Sequence, residues 1–200
     1  MSTETWHRPR SGDTDQVADN TDPVGRVADL LCVTPFRLDE AVPALPEAEG
    51  LYAWWAATTV LPAFGGLINP DMSSYRLAYI GIARRLRARI VGNHLRRSGG
   101  STLRRTLASL LLEAEGYQTM WTDRVVLVPA DELRLTAWMH QHLSLTWAQQ
   151  PQPRQLEAQL IARLQPPLNI SASADTADRT AIQRARIAFR ASAGPRPHTQ

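Results

Sequence analysis

The chain of 200 residues contains no lysine; all 22 of its basic residues are arginine. Nothing in folding forbids lysine on a surface, so this reads as a bias toward GC-rich codons. Its chemical consequence is firm: no lysine is present to act as nucleophile or general base. Cysteine is nearly absent too. The single Cys32 excludes an internal disulfide and a cysteine-based zinc site. The opening residues are polar and charged and offer no secretory apolar region, so a cytoplasmic location is expected. Leu51 to Pro70 carries no charge and approaches the roughly 20 residues of a membrane helix. Pro62, Gly65, Gly66 and Pro70 interrupt it, however, and Thr58, Thr59 and Asn69 dilute it; a strand followed by an irregular loop is expected, with no membrane partner. Acid is missing from one block. Met72 to Leu112 holds no Asp or Glu, but it holds Arg76, Arg84, Arg85, Arg87, Arg89, Arg96, Arg97, Arg104 and Arg105. Net charge is only +3, yet such a one-sign block makes a local field suited to phosphates. A solvated basic helix face is the plainer alternative.

What is present fits one domain with tails. A 44% hydrophobic content suffices for one core, and 200 residues match a single unit. Residues 1–22 are polar, rich in Asp and Thr and without apolar periodicity, which predicts disorder. The domain is expected over 23–193, with a loose tail at 194–200. The segment PVGRVADLL predicts a short helix, and Thr34-Pro35 opens another short turn or helix. Aromatic-rich Gly50–Ala56 and Arg76–Ile82 read as strands. They pair most simply as an antiparallel hairpin across a long connection. Residues 83–95 predict a helix with the densest arginines. Ser101 is a plausible N-cap for a helix through about Glu115, with Leu103, Leu107, Leu110 and Leu111 on one face. Residues 124–128 read as extended. Asp131 is expected to cap a helix running to about His142. Leu143, Leu145 and Trp147 alternate with polar partners over 143–148, a half-buried strand. A helix over 154–164 ends at Pro166-Pro167, and a last helix covers 176–192.

On this frame Gly50-Leu51-Tyr52, Tyr79-Ile80-Gly81, Arg89, Glu157 and Asn169 follow in order. The order and spacing resemble the GIY-YIG endonuclease superfamily over about residues 48–170. Tyr52 and Tyr79 match the two motif tyrosines. Arg89 lies ten residues after Tyr79, where the family carries its helical arginine. Glu157 in LEAQLIARL matches the metal-binding glutamate, and Asn169 in PPLN the asparagine after it. The wide gap between the tyrosines is more like restriction-type members than the smallest ones. The resemblance implies an α/β (α+β) fold: a small three-stranded antiparallel sheet of 50–56, 76–82 and 143–148, flanked by helices, here with extra N- and C-terminal helices. It also implies hydrolysis of a nucleic-acid strand with one divalent metal, Mg²⁺ or Mn²⁺, and DNA as partner with RNA left open.

These residue types suit that chemistry. An attacking water must lose a proton, and a pentavalent phosphate must be stabilised. Tyr79 could take the proton if a cation or a neighbouring phenol lowers its pKa from near 10; Arg89 and Tyr52 could supply that help. Arg89 can also grip phosphate with parallel hydrogen bonds. Glu157 would anchor the metal, which would stabilise the leaving oxygen, and Asn169 would position the site. His94 is a candidate phosphate contact, but it stands five residues after Arg89, about 140° off its face in a regular helix, unless a distortion near Gly92 intervenes. Arg84, Arg85, Arg96, Arg97, Arg104 and Arg105 are candidate backbone contacts, and Ser101 could present N–H groups to a phosphate at its helix start. Each residue has a plainer reading: strand aromatics for the tyrosines, a solvated carboxylate beside Arg154 for Glu157, a turn for Asn169, simple capping for Ser101. Trp54 and Trp55 alternate faces, and burial is expected for both. His140 and His142 do not share a helix face, which argues against a metal role. The alternative function is a nucleic-acid-binding or interaction module with little turnover on the same fold.

Overall fold

The computed structural model describes residues 22–170 and 177–197. The polar leading segment 1–21, the first residue of the expected last helix and the final tail residues 198–200 lie outside the described residues. The strands are β1 (Phe36–Arg37), β2 (Gly50–Ala57), β3 (Tyr75–Ala83), β4 (Thr119–Trp121), β5 (Val125–Leu127) and β6 (Leu143–Gln149). The helices are α1 (Pro23–Leu31), α2 (Leu38–Ala44), α3 (Leu86–Arg89), α4 (Thr102–Leu111), α5 (Pro129–His142), α6 (Arg154–Leu164) and α7 (Ala177–Ala191). The antiparallel sheet runs β1-β6-β2-β3, and β4 and β5 form a separate hairpin.

Strict alternation along β2 sends Tyr52, Trp54 and Ala56 to one face and Leu51, Ala53 and Trp55 to the other. All six are buried because helices cover both faces. One core lies under α2, α4, α5 and α7. The other is filled by Val24, Val27, Ala28 and Leu31 of α1 with Leu156, Leu160 and Ile161 of α6. Trp54 and Trp55 are thus core residues of different layers. The Thr146 hydroxyl accepts from the Trp55 indole at 3.0 Å and donates to Leu31 O at 2.6 Å, tying α1 to the sheet.

Along β3 the alternation breaks. Trp54 faces Tyr79 while Trp55 faces Leu77, so Ala78 is an extra residue in a bulge. Without it Tyr79 would share a face with Leu77. With it, Leu77 joins Ile80 and Ile82 on the α1–α6 side, and Ala78 and Tyr79 turn to the Tyr52 side. Bulges re-aim side chains in this way.

The outer edge of β3 is closed rather than left open to pairing. Leu77 N donates to Leu67 O at 2.8 Å, and Leu168 N to Ala78 O at 3.0 Å. Asn69 is buried; its Nδ2 donates to Cys32 O and Val33 O, and its Oδ1 accepts from Asp71 N and Met72 N, fixing the long connection.

Several expectations are corrected. The sheet has four strands, not three: extended Phe36 and Arg37, after Pro35, pair with Leu145 and Ser144, and two residues are too few to show a period. Residues 83–95 are not one helix. Ala83 ends β3, α3 is four residues long, and Ile90–His94 form a π-type turn. Asp131 lies inside the first turn of α5 rather than at its cap, where its carboxylate accepts from Gln118 N and Arg134 Nη1. Residues 125–127 are extended as expected, and they pair with β4 in the separate two-stranded hairpin. Ser101 does cap α4, accepting from Arg104 N at 3.0 Å, and Gln165, left-handed at φ 46°, ends α6 before the prolines.

Candidate active site

The two glycine–tyrosine segments interlock. Tyr52 is paired across the sheet with Gly81 and lays its ring over it. A Cβ at position 81 would stand 2.4 Å from the Tyr52 hydroxyl and 2.6 Å from its Cζ, so only glycine leaves room for the phenol. At Gly50 a Cβ would stand 2.2 Å from Ala148 O, too close for β2 and β6 to pair.

The Tyr52 hydroxyl ends a buried chain of hydrogen bonds. It lies 2.7 Å from His94 Nε2, and His94 Nδ1 lies 2.6 Å from Ser101 Oγ. Neutral imidazole carries one donor and one acceptor nitrogen, so the two bonds share a direction. Either Ser101 donates to His94 and His94 to Tyr52, or the reverse. Neutrality follows from the surroundings. His94 is wholly buried, and burial, then Arg89, then Arg104, hold its pKa well below 6.5. The π-type turn brings His94 to this place. Leu95 N donates to Ile90 O at 2.9 Å, an i→i+5 bond that puts one extra residue into the turn. The residue five after Arg89 therefore stands near where the residue four after it would stand in a regular helix. Arg89 reaches the same phenol, with Nε 3.4 Å from the Tyr52 hydroxyl and Nη1 3.3 Å from Gly100 O. His94 thus touches Tyr52 and Ser101 and is closed to solvent, which corrects the expectation that it contacts phosphate.

Tyr79, Glu157 and Asn169 line one cleft of about 340 Å³, with Thr102, Arg154 and Arg186 at its walls. Tyr79 is half-buried and comes from β3; Glu157 comes from the α6 face beside the inward Leu156 and Leu160. Asn169 follows the Pro turn and is buried. Its Oδ1 accepts from Ile80 N and its Nδ2 donates to Ile80 O, both at 2.8 Å, so it locks the edge of β3 next to Tyr79. Burial raises the Tyr79 pKa; Arg89 and Arg186 oppose that and the Glu157 carboxylate adds to it. Tyr52 is raised more strongly, by burial first. Both phenols hold their protons at neutral pH.

Glu157 has its pKa raised by burial, with Arg154 pulling the other way. Its carboxylate forms no hydrogen bond or ion pair among the described residues. Among them no three His, Cys, Asp or Glu side chains are grouped to hold a metal. A lone, half-buried, unpaired carboxylate facing a cleft fits a hard cation that keeps several waters and takes its other ligands from phosphate.

The arginine block is not one surface. Arg76 donates to Val60 O and Leu61 O, and Arg87 to Val42 O. Arg104, expected to contact nucleic acid, is wholly buried: its Nε donates to Glu132 Oε2 at 2.8 Å and its Nη1 to His94 O at 3.2 Å. Ser101 is corrected likewise. It is buried, its N–H is taken by Ser98 O, and its hydroxyl is taken by His94 and Arg104 N. Arg84, Arg85, Arg96 and Arg97 are exposed and line no part of the Tyr79 cleft. Arg105 lines a second cleft. Sequence reading missed Arg186, which lies beyond the resembling segment. Its signal was the spacing Ile182, Arg186, Phe189, which puts the arginine on the inward stripe of α7.

A family model for the GIY-YIG catalytic domain matches residues 50–188, more than half of the chain. The match takes in most of α7 as well as both tyrosine strands. No curated protein and no solved structure matches the chain.

Proposed function

The chain belongs to the GIY-YIG catalytic domain family, and from that premise we propose that it is a metal-dependent endonuclease that hydrolyses phosphodiester bonds in DNA. One observation carries the reading: Tyr79 and Glu157, far apart in sequence, open into the same cleft, with Asn169 bracing β3 at Ile80 beside Tyr79. In this reading Glu157 holds one Mg²⁺ or Mn²⁺. When bound, that ion supplies positive charge that offsets the charge on the leaving oxygen.

The chain's own residues do the rest. Tyr79 holds the attacking water by its phenolic oxygen and takes its proton as the water oxygen bonds to phosphorus and the bond to the leaving sugar oxygen breaks. The reactive form has Tyr79 ionised. Burial and Glu157 make that form the minor one at neutral pH, while Arg89 and Arg186 favour it. Tyr52 does not meet the substrate. Buried beside His94, its hydroxyl accepts from Arg89 and so orients that guanidinium. Arg89 stabilises the extra charge of the pentavalent phosphate.

The raised phenols favour a second reading, a binding module with little turnover. One experiment separates the two. A panel of supercoiled plasmid, single strand, flap, branched duplex and RNA is incubated with Mg²⁺, Mn²⁺ or EDTA. The nuclease reading expects cutting of a DNA member that EDTA stops. Binding without cutting across the whole panel supports the second reading, and cutting confined to RNA overturns the choice of DNA.

A further inference from the structure

A second cleft of about 430 Å³ lies where α4 and α7 meet the β4–β5 hairpin. Its walls include Arg105, Arg124, Arg186, Arg190, Arg196 and Trp121. Arg186 is a wall of this cleft and of the Tyr79–Glu157 cleft, so the two are neighbours through one side chain. A single carboxylate, Asp123, lines the second cleft, and it is 3.1 Å from Arg124.

Arg105, Arg186 and Arg196 are held in place by contacts within the fold. Arg105 Nη1 donates to Gly99 O at 2.9 Å and to Ser98 O at 3.2 Å. Arg186 Nη2 donates to Thr106 Oγ1 at 2.6 Å, and its Nε is buried without a hydrogen-bond partner among the described residues. The guanidinium of Arg196 lies over the Trp121 ring at 5.7 Å. Burial holds the pKa of Arg105 below its ordinary value, and the nearby Arg124 and Arg186 add to the effect. Five arginines against one carboxylate is an arrangement that repels itself, and an incoming polyanion relieves it. Planar guanidiniums fixed by packing suit phosphate oxygens, because less order is lost on contact.

We propose that this second cleft seats the sugar–phosphate backbone of the substrate strand next to the cut, with Arg186 gripping the phosphate adjacent to the scissile one. The proposal rests on reading the Tyr79–Glu157 cleft as the nuclease site. A strand is the occupant rather than a small phosphate because the cations continue from that site along α7 to Arg190.

The test is the salt dependence of binding of a fluorescently labelled DNA duplex, followed by anisotropy in metal-free buffer, beside metal-dependent cutting of the same duplex. The variants are Arg124→Gln with Arg190→Gln, Arg186→Met (which keeps the packing stem), and Arg37→Gln at the far edge of the sheet. Each lost phosphate contact lowers the slope of log affinity against log salt by about 0.9. The double variant is expected to lose roughly 2 from the slope, Arg186→Met about 1, and Arg37→Gln nothing. An unchanged slope in the double variant and in Arg186→Met, with wild type cutting, overturns the second cleft alone. An equal fall in Arg37→Gln overturns it as well, because the effect is then general charge. Slopes that fall as expected in the variants, beside a wild type that never cuts, overturn the nuclease reading and leave the cleft as a nucleic-acid seat.

Discussion

Single residues decide whether the site can form. Gly81 is needed because the Tyr52 ring occupies the place of a Cβ. His94 is needed as a neutral acceptor and donor between Tyr52 and Ser101. Its burial has a consequence for stability. The folded pKa lies well below 6.5, so as pH falls through the unfolded value the unfolded chain takes a proton that the folded one refuses. Stability from this group is complete above about pH 6.5 and is lost below it, by up to about 1.4 kcal/mol per pH unit. Urea midpoints at about pH 7.5 and about pH 5.5 check this. Wild type is expected to weaken markedly at the lower pH and His94→Gln much less; an equal drop in both contradicts it. Asp22 and Asp123, both lowered from 3.8, act further into acid. The tyrosines, Arg89, Glu157 and Asn169 could be put forward as candidates from the sequence because their order along the chain resembles a family pattern. The burial of Arg104 was not legible. An arginine in a basic block gives no sign that Glu132, 28 residues later, will pair with it.

At the scale of elements, alternation and capping predicted the right elements wherever one period ran unbroken: β2, β6, α4 and α6. It failed where the period was deliberately interrupted. The Ala78 bulge and the Ile90–His94 turn each insert one residue, and both serve the site, one turning Tyr79 and the other His94 toward Tyr52. Only tertiary partners settle such insertions. The loop over 98–101 depends on α5 in the same manner. Glu132 accepts from Ser98 N at 2.8 Å and from Arg104 Nε, and Arg104 Nη2 donates to Glu132 O. Glu132→Ala leaves a buried arginine without its counter-charge and is expected to cost about 3–5 kcal/mol. Replacing both partners, Glu132→Leu with Arg104→Met, removes the uncompensated charge and is expected to cost much less. Urea unfolding of the three proteins decides; a double variant as weak as Glu132→Ala would show that the ion pair itself, and not the orphaned charge, supports the loop.

Over the whole molecule, charge is sorted by the fold rather than by the sequence. Most of the basic block scatters into a core pair, loop clasps and exposed turns, whereas Arg105 of the block is joined by Arg124, Arg186, Arg190 and Arg196 in the second cleft. Among the described residues no helix is long and apolar enough to cross a membrane. The sheet carries two cores, and of its two edge strands, β1 and β3, it is β3 that is sealed by residues 67–69 and 168–169 and on which the candidate site is built. The central claim is that Glu157 serves chemistry and not architecture or binding. Its most direct test is Glu157→Ala, measured for cutting of a plasmid in Mg²⁺ and for affinity toward the same DNA. The account predicts that cutting is lost while affinity stays close to that of wild type, since the variant removes the metal ligand and no arginine. A variant that cuts at the wild-type rate would contradict it.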